Sequence, residues 1–206
     1  FGGKVNVPLV IRSIIGRGWG SAAQHSQSLQ ALFAHIPGLK VVMPSTPYDA
    51  KGLLIASIED GNPIIFMEHR WLYENIGYVP EEIYTVPIGK GIVRKEGKDV
   101  TIVATSFMVY EAMKAANSLE KEGIGAEVID LRTLKPLDED IIFESIKKTG
   151  RLIVADTGWK TCGFGAEIAA RVSENCFEYL KSPIKRIALP DVPTPASFAL
   201  EKVFYP

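Results

Sequence analysis

A histidine beside a run of very small residues is the first chemical feature of the chain. Gly16-Arg-Gly-Trp-Gly-Ser-Ala-Ala23 lets a ligand or another chain come close to the backbone, and Gln24-His25-Ser26-Gln27 follows it. An imidazole takes up and releases a proton near neutral pH, so His25 could shuttle a proton to a bound intermediate; it could equally bond a carbonyl and fix the loop. His35 lies just before Pro37-Gly38, where a helix C-terminus favours a cation, and reads as a capping or packing residue. Glu68-His69-Arg70 sets a carboxylate, an imidazole and a guanidinium in succession at a strand end. Alternation sends Glu68 and Arg70 to one side and His69 to the other, so the run reads as a salt bridge or chain-chain contact, with Trp71 and Tyr73 as apolar interface residues. Glu59-Asp-Gly-Asn62 invites a magnesium-diphosphate reading, but the C-terminal carbonyls of the preceding helix repel phosphate and suit a monovalent cation better.

These residues need a scaffold, and the pattern supplies one. A strand centred on Val7 to Arg12 enters the glycine-rich loop. A helix follows with Leu29, Leu32, Phe33 and Ile36 at helical spacing, stopped by Pro37-Gly38. Leu39 to Met43 reads as a buried strand. Thr46 caps a helix that has Pro47 in its first turn and runs to about Glu59, and Asp60-Gly-Asn-Pro63 turns the chain into strand Ile64 to Met67. Strand, helix, strand, helix, strand implies a parallel sheet, with ligands expected at the carboxyl ends of its strands.

A connector without periodicity, Tyr73 to Thr85, divides the chain into residues 1–80, a linker at 81–87 and a second unit at 88–206. That unit reads as strands near Ile88 to Arg94, Val100 to Ala104, Ala126 to Asp130, Arg151 to Ala155 and Ile184 to Ala188. Between them lie helices at about Met108 to Lys121, Asp138 to Lys148 with Asp138 as its cap, and Gly165 to Asn175. A short helix resumes at Ala196 to Val203 after a proline-rich stretch. The expected fold class is α/β: two consecutive open, mainly parallel sheets with flanking helices.

Composition narrows the function. The 206 residues carry 23 basic and 24 acidic side chains, a formal net charge of -1 that offers no field for nucleic acid. Apolar runs stop far short of the roughly 20 residues that span a bilayer, so no membrane insertion is expected. Cys162 and Cys176 are too far apart for a CxxC pattern and point to a reducing compartment, the cytoplasm or the mitochondrial matrix. Neither Gly16-x-Gly-x-Gly nor Gly163-x-Gly completes a dinucleotide fingerprint, and no HExxH, GxSxG or GKS/T motif occurs. The chain opens on Phe1, directly before strand-like alternation, and is expected to lack both ends of a longer protein.

Together, Val7-Pro-Leu-Val-Ile-Arg12, Ala22-Ala-Gln-His-Ser-Gln27, Pro37-Gly-Leu-Lys-Val-Val42, Asp49-Ala-Lys-Gly52 and Asp60-Gly-Asn-Pro63 closely resemble the β subunit of thiamine-diphosphate-dependent 2-oxo acid dehydrogenases. This family includes the pyruvate, branched-chain and acetoin enzymes. Pro87-Ile-Gly-Lys90, Glu127-Val-Ile-Asp-Leu-Arg-Thr133, Gly163-Phe-Gly-Ala-Glu167 and Asp191-Val-Pro193 extend the resemblance over nearly the whole chain. It implies part of a pyrimidine-binding domain followed by a transketolase C-terminal domain. It also implies thiamine diphosphate and magnesium shared with an α subunit, a second copy of the chain, and a lipoyl acyltransferase core as partners. By the same resemblance His25 is the active-site histidine that assists substrate binding and acyl transfer, and carbonyls near Ser57 and Asp60, with Asn62, form a potassium site. The family's catalytic glutamate and its pyrimidine contacts would lie upstream of Phe1, so this stretch alone is expected to be inactive. Two other readings remain open: a transketolase or deoxyxylulose-phosphate synthase relative with its own diphosphate domain, and a non-catalytic dimerisation and docking module.

Overall fold

The computed structural model describes residues 2–16 and 20–205. Arg17, Gly18 and Trp19 of the glycine-rich loop, with Phe1 and Pro206, lie outside the described residues. The first half forms β1 (Val10–Ile15), α1 (Ala22–His25), α2 (Gln30–His35), β2 (Lys40–Val42), α3 (Pro47–Glu59) and β3 (Ile64–His69). After the connector come β4 (Ile92–Lys95), β5 (Val100–Ala104), α4 (Phe107–Lys121), β6 (Ala126–Asp130), β7 (Thr133–Lys135), α5 (Glu139–Thr149), β8 (Leu152–Trp159), α6 (Phe164–Cys176), β9 (Lys185–Leu189) and α7 (Phe198–Phe204).

Two sheets result, ordered β1-β3-β2-β7 and β4-β6-β5-β8-β9. Each has a parallel body and one antiparallel edge strand, β7 on β2 and β4 on β6. The expected pair of mainly parallel sheets is therefore what the chain builds. The crossing by β7 was not expected: it leaves the second half of the chain to complete the first sheet. Arg132, at φ 57°, turns the chain out of β6, and the Met43 amide donates to its carbonyl at 2.7 Å. One apolar core runs through both sheets, from Val41, Met43 and Met67 to Val103, Ile129, Leu131 and Ile142.

Local chemistry explains most element ends. Thr46 Oγ1 accepts the Asp49 amide at 3.1 Å, and Pro47 occupies the first turn of α3, as expected. Gly150 closes α5 in the left-handed conformation, with its amide donating to the Ile146 carbonyl at 2.8 Å. Asp138, expected to cap α5, makes no side-chain cap bond; its carboxylate instead accepts the Gly91 amide at 3.0 Å and pairs with Lys90 at 3.4 Å. The first strand starts three residues later than expected, because Val5, Val7 and Leu9 are exposed and Val7 bonds the turn at Gly61 rather than a strand. Leu29, Leu32 and Ile36, the expected buried stripe of α2, are also exposed, and it is Phe33 that packs on the core.

Candidate functional site

The segment from His25 to Gln30 alternates like a strand, although it links two short helices. His25, Gln27 and Leu29 face outward, while Ser26, Ser28 and Gln30 are buried. Two bonds hold it at the carboxyl end of the first sheet. The Gly16 amide, just past β1, donates to the Gln27 carbonyl at 3.1 Å, and Arg70 Nη2, just past β3, donates to the His25 carbonyl at 3.2 Å. The imidazole of His25 is thereby presented to the outside from a backbone pinned by the ends of two parallel strands, where α/β sheets gather ligands.

β3 runs through Glu68 and His69 before a 3-10 turn begins at Arg70. The expected alternation separates the first two residues. Glu68 receives Arg12 at 2.6 and 2.9 Å and the Tyr73 hydroxyl at 2.7 Å, so its ion pair is with β1 rather than with Arg70. Burial pushes the Glu68 carboxyl up, but the hydrogen bonds from Arg12 and Tyr73 outweigh it and leave the group below its usual range. Burial and the bond to Glu68 push the Tyr73 phenol up to about 12. His69 faces the interior. It is buried, accepts the Trp71 amide at Nδ1 and stacks on Phe107 of the second half at 4.8 Å. A Cβ on Gly16 would fall 2.0 Å from His69 Nε2, and with φ at +77° that position admits only glycine. Trp71 meets Phe107 edge-on at 5.2 Å, an intrachain contact.

At the other end of the sheet, α3 finishes with no basic residue in its last turn. Ser57 donates to the Leu53 carbonyl at 2.6 Å, while the Asp60 carboxylate pairs with Lys40 and accepts Asn62 Nδ2 at 2.7 Å and the Asn62 amide at 2.9 Å. The hydroxyl and the carboxylate are committed within the chain. Among the described residues no three His, Cys, Asp or Glu side chains converge as a metal site, and no helix is long and apolar enough to cross a membrane. Cys162 is exposed and Cys176 buried, both as free thiols.

Sequence reasoning missed the charged cluster that joins the two halves. Asp49, wholly buried at the start of α3, pairs with Arg94 of β4 and, at 3.2 Å, with Arg132. Arg94 also reaches Asp130 at 2.7 Å, and Ser45 donates to the same carboxylate. It also missed Gln30, whose Nε2 donates to Asp156 Oδ1 across the seam at 2.6 Å. Asp49, Asp130 and Arg132 lie in segments that carry the family resemblance, but nothing in the sequence pairs them with Arg94, and 126 positions separate Gln30 from Asp156.

With this geometry in view, comparison with known proteins gives a consistent answer. Residues 1–75 match the transketolase pyrimidine-binding domain and residues 89–206 the transketolase C-terminal domain. The chain belongs to the transketolase family. It is 50% identical over 206 residues to the acetoin:2,6-dichlorophenolindophenol oxidoreductase subunit beta of Cupriavidus necator, covering all of this chain and 61% of that protein. Against the pyruvate dehydrogenase E1 component subunit beta of Bacillus subtilis it is 47% identical over 206 residues, covering all of this chain and 63% of that one. A solved structure titled "Split gene transketolase, inactive beta4 tetramer" aligns at a TM-score of 0.79 and 28% identity, covering 97% of this chain and 62% of that one. The chain thus spans about three fifths of the length of these relatives.

Proposed function

We propose that this chain is the larger part of the β subunit of a thiamine-diphosphate-dependent 2-oxo acid dehydrogenase, which decarboxylates an oxo acid, or cleaves acetoin, and passes the acyl group to a lipoyl carrier. The observation that carries this reading is His25, exposed at the carboxyl end of β1 and β3 with its carbonyl held by Arg70. Similarity along the whole of this chain to subunits named for acetoin and pyruvate enzymes supports it.

In this reading the thiamine ring, when bound, supplies the carbon nucleophile and the electron sink, while the α subunit holds its diphosphate and magnesium. The outward strand-end surface fits such a role because the His25 ring is presented from a backbone pinned at two points. His25 holds a proton at the imidazole edge for the oxygen that gains charge as the acyl group moves, and Arg70 keeps that edge in register by fixing the loop. Glu68 acts indirectly: with Arg12 and Tyr73 it ties β1 to β3 beneath the loop. A potassium ion would sit on the carbonyls near Ser57 and Asp60, with Asn62, where the exposed end of α3 carries partial negative charge.

The chain would work with a second copy of itself, an α subunit and a lipoyl acyltransferase core, and would be silent alone. A similar chain titled an inactive β tetramer is in keeping with that. The test is to combine the full-length subunit with its α partner, thiamine diphosphate and magnesium, and follow dye reduction. Turnover with acetoin, pyruvate or a branched-chain oxo acid is expected; none with any of them would refute the reading.

A further inference from the structure

The alternation that turns His25 outward aims two serines inward, into a cavity of about 520 Å³ on the seam between the two sheets. That volume is in the range that holds small organic ligands. Ser26 is 1% exposed and Ser28 4%, and neither hydroxyl has a hydrogen-bond partner among the described residues. Asp156, 6% exposed near the middle of β8, faces the same space. Its Oδ1 accepts Gln30 Nε2 at 2.6 Å and the Gly158 amide at 3.2 Å, while Oδ2 has no partner. Three buried, unpaired polar atoms lining one cavity are costly unless something occupies it.

The walls indicate what would occupy it. Trp71 and Phe107 lie edge to face at 5.2 Å and present aromatic surface. Among the described residues the charged lining consists of Glu111, Asp156 and Glu201 against one ammonium, Lys202, which lies 4.6 Å over the Phe198 ring. An anion would meet three carboxylates. A neutral molecule or water would satisfy hydrogen bonds but add no positive charge beside Asp156, whose carboxyl burial pushes up despite the bonds from Gln30 and the amides of Gly158, Gly165 and Thr157. An ammonium satisfies both requirements, donating to the free oxygen and the serines while aromatic faces stabilise its charge.

We propose that this cavity binds a small organic cation, a primary ammonium on an aromatic or branched apolar body, with the ammonium on Asp156 Oδ2, Ser26 and Ser28 and the body against Trp71 and Phe107. The site is separate from the acyl-transfer face, because His25 does not line the cavity. The proposal therefore stands or falls independently of the function proposed above.

Benzylamine, benzyl alcohol and benzoate provide probes of one shape and three charges. With the full-length subunit in complex with its partner, calorimetry at neutral pH should show one saturable benzylammonium site per chain. Binding should be at least tenfold tighter than for benzyl alcohol and undetectable for benzoate. Asp156→Asn should weaken benzylammonium at least tenfold, Met108→Trp should block it by filling the cavity, and His25→Ala should leave it unchanged. Absence of saturable benzylammonium binding, equal affinity for the alcohol, or undiminished binding in folded Asp156→Asn would overturn the proposal. Should Asp156→Asn not fold, Met108→Trp decides, and undiminished binding there overturns it equally.

Discussion

Position 16 and the Glu68-Tyr73 pair show how tightly single residues are specified around the loop. A methyl group at Gly16 would enter the His69 ring from a backbone at φ +77°, so Gly16→Ala combines overpacking with backbone strain. Chemical denaturation should show a loss of at least about 2 kcal/mol. Tyr73, held protonated by burial and by its bond to Glu68, ionises at about 12 in the folded chain. Because that value is raised above the unfolded one, the bond's contribution is complete below about 10 and fades as pH rises toward 12. Tyrosinate absorbance should show Glu68→Gln moving this ionisation down from about 12, since the substitution removes the negative charge beside the phenol while burial remains. The opposite orientations of Glu68 and His69 were legible from strand alternation alone. Arg12 as the partner was not, because 56 residues separate it from Glu68 and only the pairing of β1 with β3 brings them together.

At the scale of elements, the two sheets are joined by β7 and by the Asp49-Arg94-Asp130 cluster. Arg94 neutralises two wholly buried carboxylates, one at the start of α3 and one at the end of β6. Replacing it with alanine leaves Asp130 without a cation and Asp49 with Arg132 alone, which should cost about 3–5 kcal/mol. Arg94→Ala should also split thermal unfolding into two calorimetric transitions as the halves uncouple. At the end of α3, an excess of potassium over sodium should raise the melting temperature if the carbonyls near Ser57 and Asp60 bind the ion, and Asn62→Ala should reduce that shift. The helices and most strands could be read from spacing, capping residues and turn clusters. β7 could not: its three residues, Thr133-Leu-Lys135, are too few to show a period, and its pairing depends on the unusual turn at Arg132. The exposed stripe on α2 misled for a related reason, since apolar spacing shows which residues share a face but not what the face meets.

Across the whole molecule, alternation of strands and helices was enough to establish two mainly parallel sheets, and quoted segments from Val7 to Pro193 were enough to suggest the family. The cavity on the seam was not legible, because its walls come from strands, loops and helices on both sides of the chain's midpoint. The account rests on His25 serving acyl transfer from one side of a cleft shared with another subunit. The direct test is to assemble the full-length subunit with its α partner and compare wild type with His25→Ala for acylation of a lipoyl domain and for thiamine diphosphate affinity. The account predicts a loss of acylation of at least about 10²-fold, the usual scale for removing a proton-transfer group, with cofactor affinity little changed. Acylation of the lipoyl domain by His25→Ala at the wild-type rate would contradict it.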